Sequence, residues 1–196
     1  MVERQWPSVE IETPHYDAAT GWFAVRQLPS PNHDARPPGV AIDLVVIHGI
    51  SLPPGEFGGR DIDRLFTNTL DCGAHPYYGT LGELRVSAHL LIDRTGAVTQ
   101  YVGLFDRAWH AGASRFQDRA DCNDFAIGIE LEGCDDIPYT TAQYAALGGL
   151  LRVLRHAFPG ITRQRIVGHA EVAPGRKTDP GPAFDWTRFH TLLEGE

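Results

Sequence analysis

The sequence predicts an α/β fold, a single domain with a central mixed β-sheet flanked by helices. Three observations carry that reading. Short β-branched runs such as Asp43-Leu44-Val45-Val46-Ile47 and Arg165-Ile166-Val167-Gly168 are interspersed with stretches of helical periodicity. A turn-rich tetrad, Asp93-Arg94-Thr95-Gly96, joins two apolar segments as a hairpin does. A chain of 196 residues is the size of one domain with a core of its own.

Taken in order, residues 1–21 are the least regular and read as an N-terminal extension, and residues 22–193 as the domain. The run Asp43–Ile47 is a buried strand that delivers His48 to its C-terminal edge. Between Arg60 and Leu70, Ile62, Leu65, Phe66 and Leu70 fall at helical spacing. Val86 to Ile92 and Val98 to Val102 are the two strands of the hairpin. From Phe125 to Glu132 the period is two, with Ile127, Ile129 and Leu131 on a core face and Gly128, Glu130 and Glu132 on the other. Thr140 and Gln143 have capping-box spacing ahead of Tyr144, Leu147, Leu151, Leu154 and Phe158, so a long helix follows and stops at Pro159-Gly160. Arg165–Gly168 is a strand ending on His169, and Asp185 caps a last helix with Trp186, Phe189 and Leu193 on its apolar side.

Composition narrows the function. Hydrophobic residues at 42% and charged residues at 21% are those of a soluble globular protein, and no run reaches the roughly 18 apolar residues of a membrane span. The first residues lack a basic start followed by an apolar run, so a cytoplasmic protein is expected. A formal charge of −8 argues against nucleic acid or an anionic membrane as the main partner. Cys72, Cys122 and Cys134 are three in number with no C-x-x-C pair, so free thiols are expected.

The chemistry centres on His48, His169 and Asp179, the last in Lys177-Thr178-Asp179-Pro180-Gly181-Pro182. Two imidazoles and a carboxylate suit zinc and leave a fourth position open, which is the pattern of a catalytic metal. With nine histidines in the chain, spacing alone leaves a hydrogen-bonded structural role open for each.

Six separated strings bear on that choice: Ile47-His48-Gly49-Ile50-Ser51-Leu52-Pro53-Pro54-Gly55-Glu56-Phe57, Val86-Ser87-Ala88-His89, Ala108-Trp109-His110-Ala111-Gly112, Cys122-Asn123-Asp124-Phe125, Ile127 to Gly133, and Arg176 to Pro182. In this order they closely resemble the amidase_2 family of N-acetylmuramoyl-L-alanine amidases, whose fold is shared with peptidoglycan recognition proteins. The resemblance runs from about Trp22 to Leu193. It implies hydrolysis of the amide between anhydro-N-acetylmuramic acid and L-alanine in recycled cell-wall fragments, a role that also restrains β-lactamase induction. One zinc ion per chain is implied at His48, His169 and Asp179.

The resemblance further implies that Glu130 is the acid/base residue, with Glu132 on the same face as its rival, and that Lys177 steadies the oxyanion. A stem peptide with carboxylates and a sugar with an apolar face call for an arginine and an aromatic wall. Arg85 and Trp109 are the first choices, with His110 and Tyr77 lining the site; Trp109 reads equally as core packing. His89 reads as a structural or supporting histidine. The expected partner is the anhydro-muropeptide alone, bound by a monomer. Gly49 departs from the family pattern, which has asparagine after the first histidine, and implies a lost polar contact worth about 1–3 kcal/mol of binding. The alternatives are a non-catalytic fragment sensor and a lysin-type amidase acting on intact wall.

Overall fold

The structure, a computed structural model, describes residues 13–194. Its strands in chain order are β1 (Tyr16–Asp17), β2 (Trp22–Phe23), β3 (Arg26–Gln27), β4 (His33–Ala35), β5 (Leu44–Ile50), β6 (Leu90–Ile92), β7 (Val98–Gln100), β8 (Asp106–Ala108), β9 (Arg115–Phe116), β10 (Arg119–Ala120), β11 (Ala126–Glu132) and β12 (Ile166–Gly168). The helices are α1 (Asp61–Phe66), α2 (Pro76–Leu81), α3 (Thr141–Ala157), α4 (His169–Val172) and α5 (Trp186–Glu194).

Six strands form the central sheet in the order β12-β5-β11-β6-β7-β3. The first four run parallel, β7 is antiparallel to β6, and β3 is parallel to β7, so the sheet is mixed as the sequence predicts. Parallel strands at the centre are covered on both faces, which is why Leu44, Val45, Val46 and Ile47 are all fully buried. Val45, Ile47, Ile127 and Ile129 face α3 and α5 through Leu147, Leu150, Leu151, Leu154, Phe189 and Leu193. Leu44, Val46 and Ala126 face the other way, against Phe125, Val167 and Val172.

The long helix is fastened where its cap predicts. Thr140 Oγ1 accepts from the Gln143 N–H at 3.1 Å while Gln143 Oε1 accepts from the Thr140 N–H at 3.0 Å. Gln143 Nε2 also donates to the Glu132 and Ile92 carbonyls, tying the first turn of α3 to the sheet edge. Asp185 caps α5 by accepting from the Arg188 N–H at 2.9 Å.

Two expected element bounds are corrected. The strand expected from Val86 shrinks to Leu90–Ile92, because Ser87 spends its N–H on the Trp109 carbonyl and its hydroxyl on the Asn32 carbonyl instead of on a sheet neighbour. The helix expected to reach Leu70 stops at Phe66, with Asn68 at φ +59° beyond it. Both faces of β11 are covered: every one of its residues is buried, the face that carries Glu130 and Glu132 included. Of the expected N-terminal extension, residues 1–12 lie outside the described residues; within the rest, β1 pairs with β2 and Tyr16 packs on Phe23 and Phe158. The three cysteines are free, and among the described residues no helix is long and apolar enough to cross a membrane.

Candidate active site

Functional side chains collect at the carboxyl ends of the parallel strands, where open α/β sheets place their crevices. His48 lies near the end of β5, and the parallel register sets Glu130 of β11 directly beside it. Strand β12 flanks β5 on the other side and ends at Gly168, so the next residue, His169, opens α4 instead of finishing the strand. Asp179 arrives on the loop after α4, its carbonyl accepting from the Ala170 N–H at 2.9 Å.

Three acceptor atoms converge there. His48 Nδ1 and His169 Nδ1 are 2.9 Å apart, and Asp179 Oδ2 is 3.0 Å from the second and 3.3 Å from the first. The outer nitrogens fix the tautomers. His169 Nε2 donates to the Ala111 carbonyl at 3.2 Å, leaving Nδ1 as a lone pair. His48 Nε2 lies 2.9 Å from His110 Nδ1, and donation from it does the same for His48. Burial pushes the His48 imidazole down to about 4 against the raising effect of Asp179, so it is neutral at neutral pH. Burial alone would raise the Asp179 carboxyl, but the two imidazoles beside it outweigh burial and hold it well below the usual carboxylate range. Two inward-facing imidazole nitrogens and a carboxylate oxygen at mutual hydrogen-bond distance make an electron-rich pocket of the kind a cation occupies. This donor set, three ligands with outward N–H groups already paired, fits zinc.

Glu130 and Glu132 part company here. Glu130 is 8% exposed, lines the cleft, and its Oε2 finds no hydrogen-bond partner among the described residues. Burial, with the Asp179 charge adding and Lys177 opposing, raises its carboxyl well above the usual range. Glu132 is occupied: Oε1 accepts from the Gly58 N–H at 2.6 Å and Oε2 from the Arg94 N–H at 3.1 Å. It anchors the segment after β5 whose Ser51, Leu52 and Pro54 form a cleft wall.

The cleft is about 600 Å³ and brings together His48, Glu130, His169, Lys177, Asp179, His110 and Tyr77. Lys177 is exposed on its lip, near enough for its charge to act on both His48 and Glu130. Arg85 and Trp109 are not brought in. Arg85 is exposed between α2 and Val86, outside the lining; the Trp109 indole N–H turns away to donate to Asp34 at 3.2 Å. His89 is a supporting residue, its Nδ1 accepting from the Gly128 N–H at 3.0 Å.

Two glycines that the sequence leaves unexplained shape the site. A Cβ at Gly128 would come within 2.4 Å of the His110 ring, so only glycine lets that ring lie over β11 and reach His48. A Cβ at Gly49 would come within 2.4 Å of Tyr139 Oη. At Gly49, where a lost polar contact is expected, the first volume a side chain would take is held by the Tyr139 hydroxyl.

Comparison with known proteins points to one family. Residues 38–182 match the Amidase_2 family, described as N-acetylmuramoyl-L-alanine amidase. The chain is 54% identical over 177 residues to the 1,6-anhydro-N-acetylmuramyl-L-alanine amidase AmpD of Escherichia coli, covering 90% of this chain and 96% of that protein. A crystal structure of a selenomethionine AmpD derivative superposes with a TM-score of 0.87 at 53% identity, covering 91% of this chain and 98% of that one. The Escherichia coli amidase AmiD, solved with anhydro-N-acetylmuramic acid-L-Ala-D-γ-Glu-L-Lys, superposes with a TM-score of 0.58 at 27% identity, covering 81% and 60%. With its fold and nearly its whole length matched, the chain belongs to the N-acetylmuramoyl-L-alanine amidase family, Amidase_2.

Proposed function

We propose that this amidase hydrolyses the amide between 1,6-anhydro-N-acetylmuramic acid and L-alanine in soluble cell-wall fragments, as a zinc enzyme of cytoplasmic recycling. The observation that carries the reading is the convergence of two imidazole lone pairs and a carboxylate beside a buried carboxylate with an unpartnered oxygen. The AmpD resemblance over 96% of the relative's length supports the anhydro-muramyl substrate.

In this reading His48, His169 and Asp179 hold zinc, which supplies Lewis acidity toward the scissile carbonyl and acidifies water. Glu130 takes the proton of the attacking water at Oε2 and returns it to the departing alanine nitrogen, a role suited to a carboxyl whose affinity for protons is raised. Lys177 places its ammonium at the lip, where negative charge develops on the carbonyl oxygen. Tyr77 and His110 both line the cleft that receives the substrate. Arg85 and Trp109 take no part in this arrangement.

The test is incubation with defined anhydro-muropeptides and with intact sacculi, before and after chelation and zinc restoration, with products followed by mass spectrometry. Release of stem peptide from the soluble fragment, lost on chelation and regained with zinc, is expected. No release in the zinc-loaded state would leave a fragment-binding module; release from sacculi alone would make it a lysin-type enzyme.

A further inference from the structure

Asp179 is the only ligand of the cluster that comes from a loop, so something must hold that loop to the strand ends. Its own carbonyl is held by the Ala170 N–H. Pro180 rests on Gly168, where a Cβ would come within 2.9 Å of the proline Cδ. The Pro180 carbonyl accepts from Tyr139 Oη at 2.9 Å, in a bond between buried groups.

Tyr139 reaches that carbonyl through a slot made by two missing side chains. A Cβ at Gly133 would lie 2.4 Å from its Cε1 and 2.9 Å from its Cζ; a Cβ at Gly49 would lie 2.4 Å from Oη but 3.7 Å from Cζ. Gly49 immediately follows His48 on β5 and points to the opposite face of the sheet. The ring is backed by Phe184, edge-on with centroids 5.6 Å apart. One glycine therefore admits the ring and the other admits the hydroxyl alone.

We infer that Tyr139 is a positioning residue for the metal centre: its hydroxyl, admitted by Gly49, fixes the Pro180 carbonyl and thereby sets the Asp179 carboxylate against His48 and His169. The inference rests on the zinc reading above. Tyr139 touches neither ligand atoms nor substrate and acts through the backbone of the residue after Asp179. A group that orients a metal ligand contributes about tenfold to a hundredfold in affinity.

The geometry makes a second, sharper demand. Gly49→Ala collides with the tyrosine oxygen and with no other atom of that ring closer than 3.7 Å, so removing the oxygen removes the collision. Gly49→Ala and Tyr139→Phe should be non-additive.

The experiment uses the full chain and measures zinc affinity by competition with a chromophoric chelator, the visible spectrum of the cobalt(II)-substituted protein, and thermal unfolding. Tyr139→Phe should weaken zinc about tenfold and lower the cobalt absorption as four-coordinate geometry loosens. Gly49→Ala should weaken it at least as much, and the double variant should be no worse than Tyr139→Phe alone. A purely structural tyrosine would lower the unfolding temperature but leave zinc affinity and the cobalt spectrum of the folded protein unchanged; that outcome, or strict additivity, overturns the inference. If the wild type itself binds no zinc, the zinc reading fails. If wild type and Tyr139→Phe bind equally tightly, the zinc reading stands and the Tyr139 role is refuted.

Discussion

The centre of the cleft and its rim are built from the same strand by opposite rules. Glu130 and Glu132 project from one side of β11 two residues apart, and both are buried. At the centre, Glu130 keeps an oxygen without a partner among the described residues, a condition proteins usually avoid because an unpaired buried polar atom costs about 1–3 kcal/mol. At the rim, Glu132 has both oxygens engaged by backbone N–H groups and serves as an anchor. A carboxylate left unsatisfied is available to move a proton; one that is satisfied holds a wall in place.

The largest expected effect tests the centre. Glu130→Gln should lower kcat by about 10²- to 10⁴-fold, the usual contribution of a general acid–base group, with zinc content unchanged by metal analysis. The rim should answer differently: Glu132→Ala leaves the Gly58 and Arg94 N–H groups without acceptors, for a stability loss of about 1–3 kcal/mol each in denaturant titration. There KM should rise more than kcat falls, since the freed segment lines the cleft. A kcat collapse in Glu132→Ala at unchanged stability would erase the contrast.

Third in size is Gly128→Ala. Its Cβ displaces the His110 ring and with it the outer partner of His48, so zinc affinity should fall about tenfold to a hundredfold while the fold survives by circular dichroism.

The smallest effect is in pH dependence. The Glu130 carboxyl is raised in the folded state, so in the metal-free protein its contribution to stability is full below its unfolded pKa and is lost as pH rises through the folded one. Relative to Glu130→Gln, wild type should therefore lose stability with rising pH, by about 1.4 kcal/mol for each unit of elevation. Lys177 opposes that elevation, and Lys177→Met should move the acid limb of the kcat profile to higher pH.

Much of this site is legible in the sequence, because the signals are local. The apolar run before His48, the capping box at Thr140 and Gln143, and the order of the motif strings all survive in the fold. The choice between Glu130 and Glu132 is not local. It depends on N–H groups from Gly58 and Arg94, which are 74 and 38 residues away from Glu132 and reach it only in three dimensions. Trp109 fails for a similar reason: its indole has a competing partner, Asp34, 75 residues upstream. At Gly49 an absent side chain says nothing about which other group fills the space, here the Tyr139 hydroxyl.

The pairing of His48 with His169 has a consequence for how the molecule is made. These residues meet across 121 positions of chain, and β12, which delivers the second, is a three-residue strand at the sheet's edge. Closing so long a loop is entropically late, so the His48–His169–Asp179 cluster is completed only once β12 has docked. Capture of an ion there would be coupled to that docking step and would draw the folded population forward by mass action. The rate at which a newly made chain becomes resistant to chelators is accordingly a clock for completion of the sheet.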